Sequence, residues 1–107
     1  MTFTSTIPGL PQGACQRLLG VIEKSTAVKE VWLFGSRAMG RHHDGSDLDL
    51  CLVGEGITHT DRLQLMHAID ELLLPWQVDL ALHHEMPMEL LDHLNRAGYP
   101  IWKRASD

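Results

Sequence analysis

Apolar residues recur along this chain with two different periods, and the switches between them mark its elements. Ala14, Leu18, Leu19 and Ile22 return at helical spacing, and Pro11 suits the first turn of a helix running to about residue 24. Residues 31–34, Val-Trp-Leu-Phe, are β-branched, aromatic and aliphatic, and they stop at Gly35-Ser36. That pattern predicts a strand closed by a tight turn. Residues 47–53 open with strict polar/apolar alternation, which predicts a second strand after a loop over 41–46. Leu63, Met66, Ile69, Leu72 and Leu73 form the apolar stripe of a helix over about 61–74, with Thr60 as its cap and Pro75 as its stop. A third strand follows over 77–82, and a third helix starts near Pro87, carries Met88, Leu90, Leu91 and Leu94, and ends at Gly98. Residues 99–102 read as a last short strand, in which Pro100 favours an edge because it has no amide hydrogen to donate. Residues 1–9 are polar and end in Pro8-Gly9, so they read as a loose N-terminal arm.

This order predicts an α/β fold: a mixed β-sheet with helices packed on one face. The 107 residues form a single domain, 1–107, with one core. The leucines of the second and third strands should lie against the helices. Alternation then puts Asp47, Asp49, Cys51, Asp79, Ala81 and His83 on the other face, with no segment left to cover it.

Side chains two apart on a strand share a face, so Asp47 and Asp49 have Cα atoms about 6.5–7 Å apart. Two carboxylates this close repel unless a cation lies between them, and a hard, oxygen-seeking ion such as Mg²⁺ meets that need. Gly35 lets the backbone approach a ligand closely, and Ser36 begins a short segment whose free amides suit phosphate oxygens. Asp79 alternates with Val78, Leu80 and Leu82 as Asp49 does with its leucines, and supplies a third carboxylate. Arg37 and Arg41 are candidates for phosphate or transition-state charge, with solvation as the competing role. Ser46 is a candidate phosphate-binding residue, with orienting the loop or capping Asp47 as its competing role.

Gly35-Ser36, ten intervening residues, Asp47-x-Asp49 and a later-strand Asp79 together resemble the signature of the nucleotidyltransferase superfamily related to DNA polymerase β, in its minimal form (the MNT domain). The resemblance covers about residues 28–102, and residues 74–80, Leu-Pro-Trp-Gln-Val-Asp-Leu, are similar to the third-carboxylate segment of small bacterial members. It implies a nucleotidyltransferase fold and the transfer of a nucleoside monophosphate, AMP from ATP foremost, to a hydroxyl. It also implies Mg²⁺ or Mn²⁺ held by Asp47, Asp49 and Asp79, in a scheme with two ions about 3.5–4 Å apart. Gly35 and Ser36 would receive the triphosphate. Minimal members commonly pair with a small helical protein of the HEPN or substrate-binding type, in some cases as the antitoxin of a toxin–antitoxin pair that adds AMP to its partner. Two rival readings remain: a binding module that neutralises its partner by contact alone, and a transferase acting on a small hydroxylated molecule such as an aminoglycoside.

Composition narrows the partners. A formal net charge of −5 opposes the electrostatic attraction that nucleic acid binding needs, so a free nucleotide is favoured over a polynucleotide. No apolar run approaches the roughly 20 residues of a membrane span. Cys15 and Cys51 fall in predicted elements, and residues 1–13 show no secretory pattern, which points to a reducing cytoplasm. The pairs His42-His43 and His83-His84 are poor zinc chelates, because adjacent residues on extended backbone point apart. Met86, Met88, Leu90, Leu91 and Leu94 gather apolar side chains in one locality, and this predicts an interface, either in a homodimer or in a hetero-complex with the helical protein.

Overall fold

The computed structural model describes residues 3, 4 and 6–105, with side chains from residue 6 onward. In chain order the elements are β1 (Phe3–Thr4), α1 (Gln12–Ile22), β2 (Glu30–Phe34), β3 (Leu48–Val53), α2 (His59–Asp70), β4 (Val78–Leu82), a 3-10 turn (His83–Glu85), α3 (Met88–Ala97) and β5 (Tyr99–Lys103). The strands form one mixed sheet in the order β1-β5-β2-β3-β4. β2 and β3 run antiparallel across the turn and loop that join them, whereas β3 and β4 run parallel because α2 carries the chain back between them.

Alternation along the strands sorts the residues onto two faces. Val31, Leu33, Leu48, Leu50 and Leu52 are completely buried, packed with Leu18, Leu19 and Ile22 of α1 and Leu65 and Ile69 of α2. The opposite side carries a smaller cluster of Phe34, Cys51, Met86 and Leu94, with Trp32, Ala81, Leu90 and Leu91 packed against it. α1 and α2 thus form the expected helical layer, and α3 crosses to the other face. The expectation that no segment remained to cover that face is corrected. The locality around Met86 is likewise spent on this packing: Met86 and Leu94 are buried, and of the five apolar residues proposed as an interface only Met88, at 77%, is largely exposed.

Other boundaries shifted for local reasons. α2 starts after Thr58 rather than Thr60, because Thr58 and Asp61 form a reciprocal capping box: Thr58 Oγ1 accepts from the Asp61 amide and the Asp61 carboxylate accepts from the Thr58 amide, each at 3.0 Å. Its buried stripe is Leu65 and Ile69, while Leu63 is half exposed. The helix stops at Asp70, and Leu73 sits at φ 55, in the left-handed region that ends helical progress. The N-terminal segment is not a loose arm. Phe3 and Thr4 pair antiparallel with Lys103 and Trp102, and Ile7 is buried in the main core; Met1, Thr2 and Ser5 lie outside the described residues. β5 therefore lies between β1 and β2 rather than at the edge expected from Pro100, and its register against β2 shifts between Val31 and Trp32, next to the Trp32–Pro100 pair.

Candidate functional site

The site grows from the β2–β3 connection. Phe34 is paired with Asp49 across the antiparallel ladder, and Asp49 is paired with Asp79 across the parallel one. Neighbouring strands lie about 4.8 Å apart, so the register places these two carboxylates side by side on one face, with Asp47 just before β3 begins. Asp47 and Asp79 are exposed and Asp49 is half-buried. None of the three takes part in an ion pair among the described residues. The crowding is visible in the chemistry of Asp49, whose carboxyl is held above its ordinary pKa by desolvation first, then by the charges of Asp79 and Asp47, against a smaller opposing influence of His93.

Gly35 shows why the turn needs glycine. Its φ of +77° is unfavourable for an L-residue, and a Cβ there would collide with the Asp49 carboxylate. Beyond it the chain makes one helical turn, with the Met39 amide donating to Gly35 O and the Arg41 amide to Ser36 O. The amides of Ser36, Arg37 and Ala38 donate to no other described residue. The Gly35 amide is taken: it donates to Nε2 of His93 on α3, at 3.0 Å.

Arg37 departs from the phosphate-binding role expected of it. It is 1% exposed, and its guanidinium is spent on backbone carbonyls: Nη1 donates to Pro8 O at 2.7 Å, Nη2 to Ser46 O at 2.9 Å and Asp44 O at 3.4 Å, and Nε to Ser46 O at 3.3 Å. A fork of five donors suits this use, since it satisfies several carbonyls that converge on one point. Arg37 therefore ties the N-terminal segment and the 44–46 loop to the turn, and fixes Ser46, the residue next to Asp47. Ser46 completes the loop with its own side chain, whose Oγ accepts from the His43 amide at 2.9 Å. Its place is in loop geometry. Trp76 Nε1 adds a further tie, donating to Asp44 O at 2.9 Å. Arg41 is exposed beside the turn.

A divalent cation fits this donor set in one particular way. All the candidate ligands are hard carboxylate oxygens on one face, yet among the described residues no three carboxylate, imidazole or thiolate groups close on a single point. That is unlike an all-protein cage and consistent with Mg²⁺, which is usually bound by one or two carboxylates together with water and substrate phosphates. Cys51 lies under α3 with its Sγ donating to Met86 Sδ at 3.6 Å, and burial pushes its pKa up to about 12, so it is an inert core thiol. Cys15 lies in the core on the opposite side of the sheet. A cavity of about 590 Å³ opens between α1 and α2, lined by Val21, Lys24, Asp61 and Leu65 among others, and holds none of the three carboxylates. No helix among the described residues is long and apolar enough to cross a membrane.

Sequence reasoning missed His93. Its one legible signal was position: it falls between Leu90 and Leu94 on the stripe of α3 that faces the sheet, where a polar side chain needs a partner.

Comparison with known proteins places this geometry. The probable protein adenylyltransferase MntA of Haemophilus influenzae is 45% identical over 51 residues, an alignment spanning 47% of this chain and 45% of that protein, under half the relative's length. Among solved structures, a toxin–antitoxin complex with AMP-PNP superposes with a TM-score of 0.69 at 22% identity, covering 89% of this chain and 75% of that one. The MNT antitoxin in complex with a tri-AMPylated HEPN toxin from Shewanella oneidensis gives a TM-score of 0.65 at 17% identity, covering 87% of this chain and 72% of that one. At such identities the structural likeness is one of fold. The family described as Polymerase beta, Nucleotidyltransferase matches residues 16–107, a span that takes in the turn, all three carboxylates and every strand except β1. The match covers most of the chain, and the chain belongs to the polymerase β-type nucleotidyltransferase family.

Proposed function

We propose that the chain transfers a nucleoside monophosphate, AMP from ATP, to a hydroxyl of a helical HEPN-type partner, as the antitoxin half of a toxin–antitoxin pair in the cytoplasm. The observation that carries this reading is the register pairing of Asp49 with Asp79 on the face where the Gly35-Ser36 turn meets the Asp49 carboxylate. The relatives support it: one is named a protein adenylyltransferase, and another is an MNT antitoxin complexed with an AMPylated HEPN toxin.

In this reading the unpartnered amides of Ser36, Arg37 and Ala38 receive phosphate oxygens of the triphosphate. Asp47, Asp49 and Asp79 would hold Mg²⁺ or Mn²⁺, and the ion would supply charge neutralisation for the phosphoryl transfer. Asp79, exposed at the edge strand, takes the proton of the acceptor hydroxyl. The acceptor oxygen bonds to the α-phosphorus, the bond from that phosphorus to the α,β-bridging oxygen breaks, and pyrophosphate departs. Arg37 acts at one remove, by keeping the turn and Asp47 in fixed relation.

The test is label transfer. The chain is incubated with Mg²⁺, a HEPN-type protein encoded beside it, and ATP labelled at either the α or the γ position. The expected result is α-label on the partner and none from γ, with loss of transfer in Asp47→Asn. Absence of α-label on the partner, across the four ribonucleoside triphosphates, would refute the proposal.

A further inference from the structure

His93 is the contact between α3 and the catalytic turn. Its ring lies edge-on to Phe34, with centroids 6.1 Å apart and planes at 72°, and its Nε2 accepts the Gly35 amide across 58 residues of sequence. A backbone amide can only donate, so Nε2 must carry the lone pair and the ring proton resides on Nδ1. Phe34, against which the ring packs, is paired with Asp49 across the β2–β3 ladder, so the contact lies where the turn adjoins the carboxylate face.

This contact adds a tie to α3 to the turn's own bonds, which run from the Met39 amide to Gly35 O and from the Arg41 amide to Ser36 O. Gly35 is in the left-handed region, with no Cβ to limit its rotation, and it is the last residue before the three unpartnered amides. Rotation about Gly35 would swing the Ser36, Arg37 and Ala38 amides together. Arg37 fixes the far side of the turn through Pro8, Asp44 and Ser46, and His93 fixes the near side. By occupying the Gly35 amide, His93 also removes it from phosphate binding and leaves that work to the next three. We propose that His93 is a positioning residue for the nucleotide: it locks the phosphate turn to α3, so that triphosphate affinity depends on an acceptor atom at this place on the helix. The proposal rests on the nucleotide-site reading above.

The test uses calorimetric titration of the full chain with Mg²⁺ and AMP-PNP in the absence of an acceptor, whose omission separates binding from turnover, and compares wild type with His93→Gln and His93→Leu. Glutamine keeps a side-chain oxygen able to accept the Gly35 amide, and leucine fills similar space without one. Losing one such restraining hydrogen bond should weaken affinity roughly five- to tenfold in His93→Leu, and His93→Gln should recover to within about threefold of wild type. In parallel, the Gly35 amide resonance should lose its exchange protection in the leucine variant and keep it in the glutamine variant. Equal affinity in all three chains overturns the role of His93 alone. Equal weakening in both variants does the same, because the ring would then matter for its shape rather than its acceptor. A wild-type chain that binds no Mg²⁺·AMP-PNP overturns the nucleotide-site reading and this proposal with it. Should the leucine variant fail to fold, the glutamine variant still decides, since loss of Gly35 protection together with wild-type affinity contradicts the proposal.

Discussion

The two faces of the central sheet are made by alternate residues of the same strands, yet they obey opposite rules. On one face Leu48, Leu50 and Leu52 are fully buried under α1 and α2, and nothing polar interrupts them. On the other, the Asp49 carboxyl, half-buried beside Asp79 and Asp47, is held above its ordinary pKa, and cover comes from Met86 and α3. The first face contributes the apolar burial that stabilises the fold. The second is electrostatically unfavourable without a cation, and local conflict of that kind marks a functional surface. A period of two along β3 suffices to separate the two roles.

Substitutions on the two faces should therefore diverge in both size and sign. The largest effect is expected on the leucine face: Leu50→Ala should cost about 2–5 kcal/mol, through lost transfer energy and a cavity beneath the helices. Denaturant unfolding would measure it, and a cost below about 1 kcal/mol would mean that the layer is not packed as described. Arg37 sharpens the comparison, because it belongs to the site by sequence and to the framework by geometry. Arg37→Met should destabilise by roughly 3 kcal/mol, since the carbonyls of Pro8 and Ser46 lose their donor while Asp44, on an exposed loop, can turn to water. A variant with unchanged melting temperature and weakened nucleotide binding would restore Arg37 as a phosphate ligand.

The smallest expected effect has the opposite sign. Asp49→Asn should stabilise the chain, in the absence of metal, by about 0.5–2 kcal/mol at neutral pH, as relief of surface charge commonly does. The pH dependence follows from linkage. The folded-state pKa of Asp49 lies above its unfolded value, so between the two the native state binds more protons and stability falls as pH rises. The penalty is fully present above the raised pKa and is relieved as pH drops through it toward the unfolded value. Melting curves of wild type and Asp49→Asn should converge on acidification in that window, and parallel curves would show that the carboxylate carries no such strain.

Much of this was legible in the sequence. The strands over residues 48–52 and 78–82 followed from alternation, which depends on near neighbours, and alternation also put Asp49 and Asp79 on the face away from the leucines. Even the cap of α2 could have been read correctly: Thr58 has Asp61 three residues on, as a capping box requires, whereas Thr60 has Leu63. What alternation could not supply was long-range. Nothing local says that Arg37 will meet carbonyls at residues 8, 44 and 46, that α3 will cross to the carboxylate face, or that His93 will reach Gly35. These contacts depend on where the elements come together, and the arm of residues 1–9 was misread for the same reason.

In the proposed function the carboxylate face and the Gly35-Ser36 turn together hold a metal–nucleotide complex. The most direct measurement is paramagnetic broadening of backbone amide signals by Mn²⁺ in the presence of ATP, with Mg²⁺·ATP as the diamagnetic reference. Because broadening falls steeply with distance from the ion, it locates the complex without any assay of turnover. The expected result is loss of signal at residues 35–38, 47–49 and 79, little change along α1 beneath the opposite face, and abolition of the pattern in Asp49→Asn. Broadening centred on His42 and His43 or on the cavity between α1 and α2, or none at millimolar nucleotide, would contradict it.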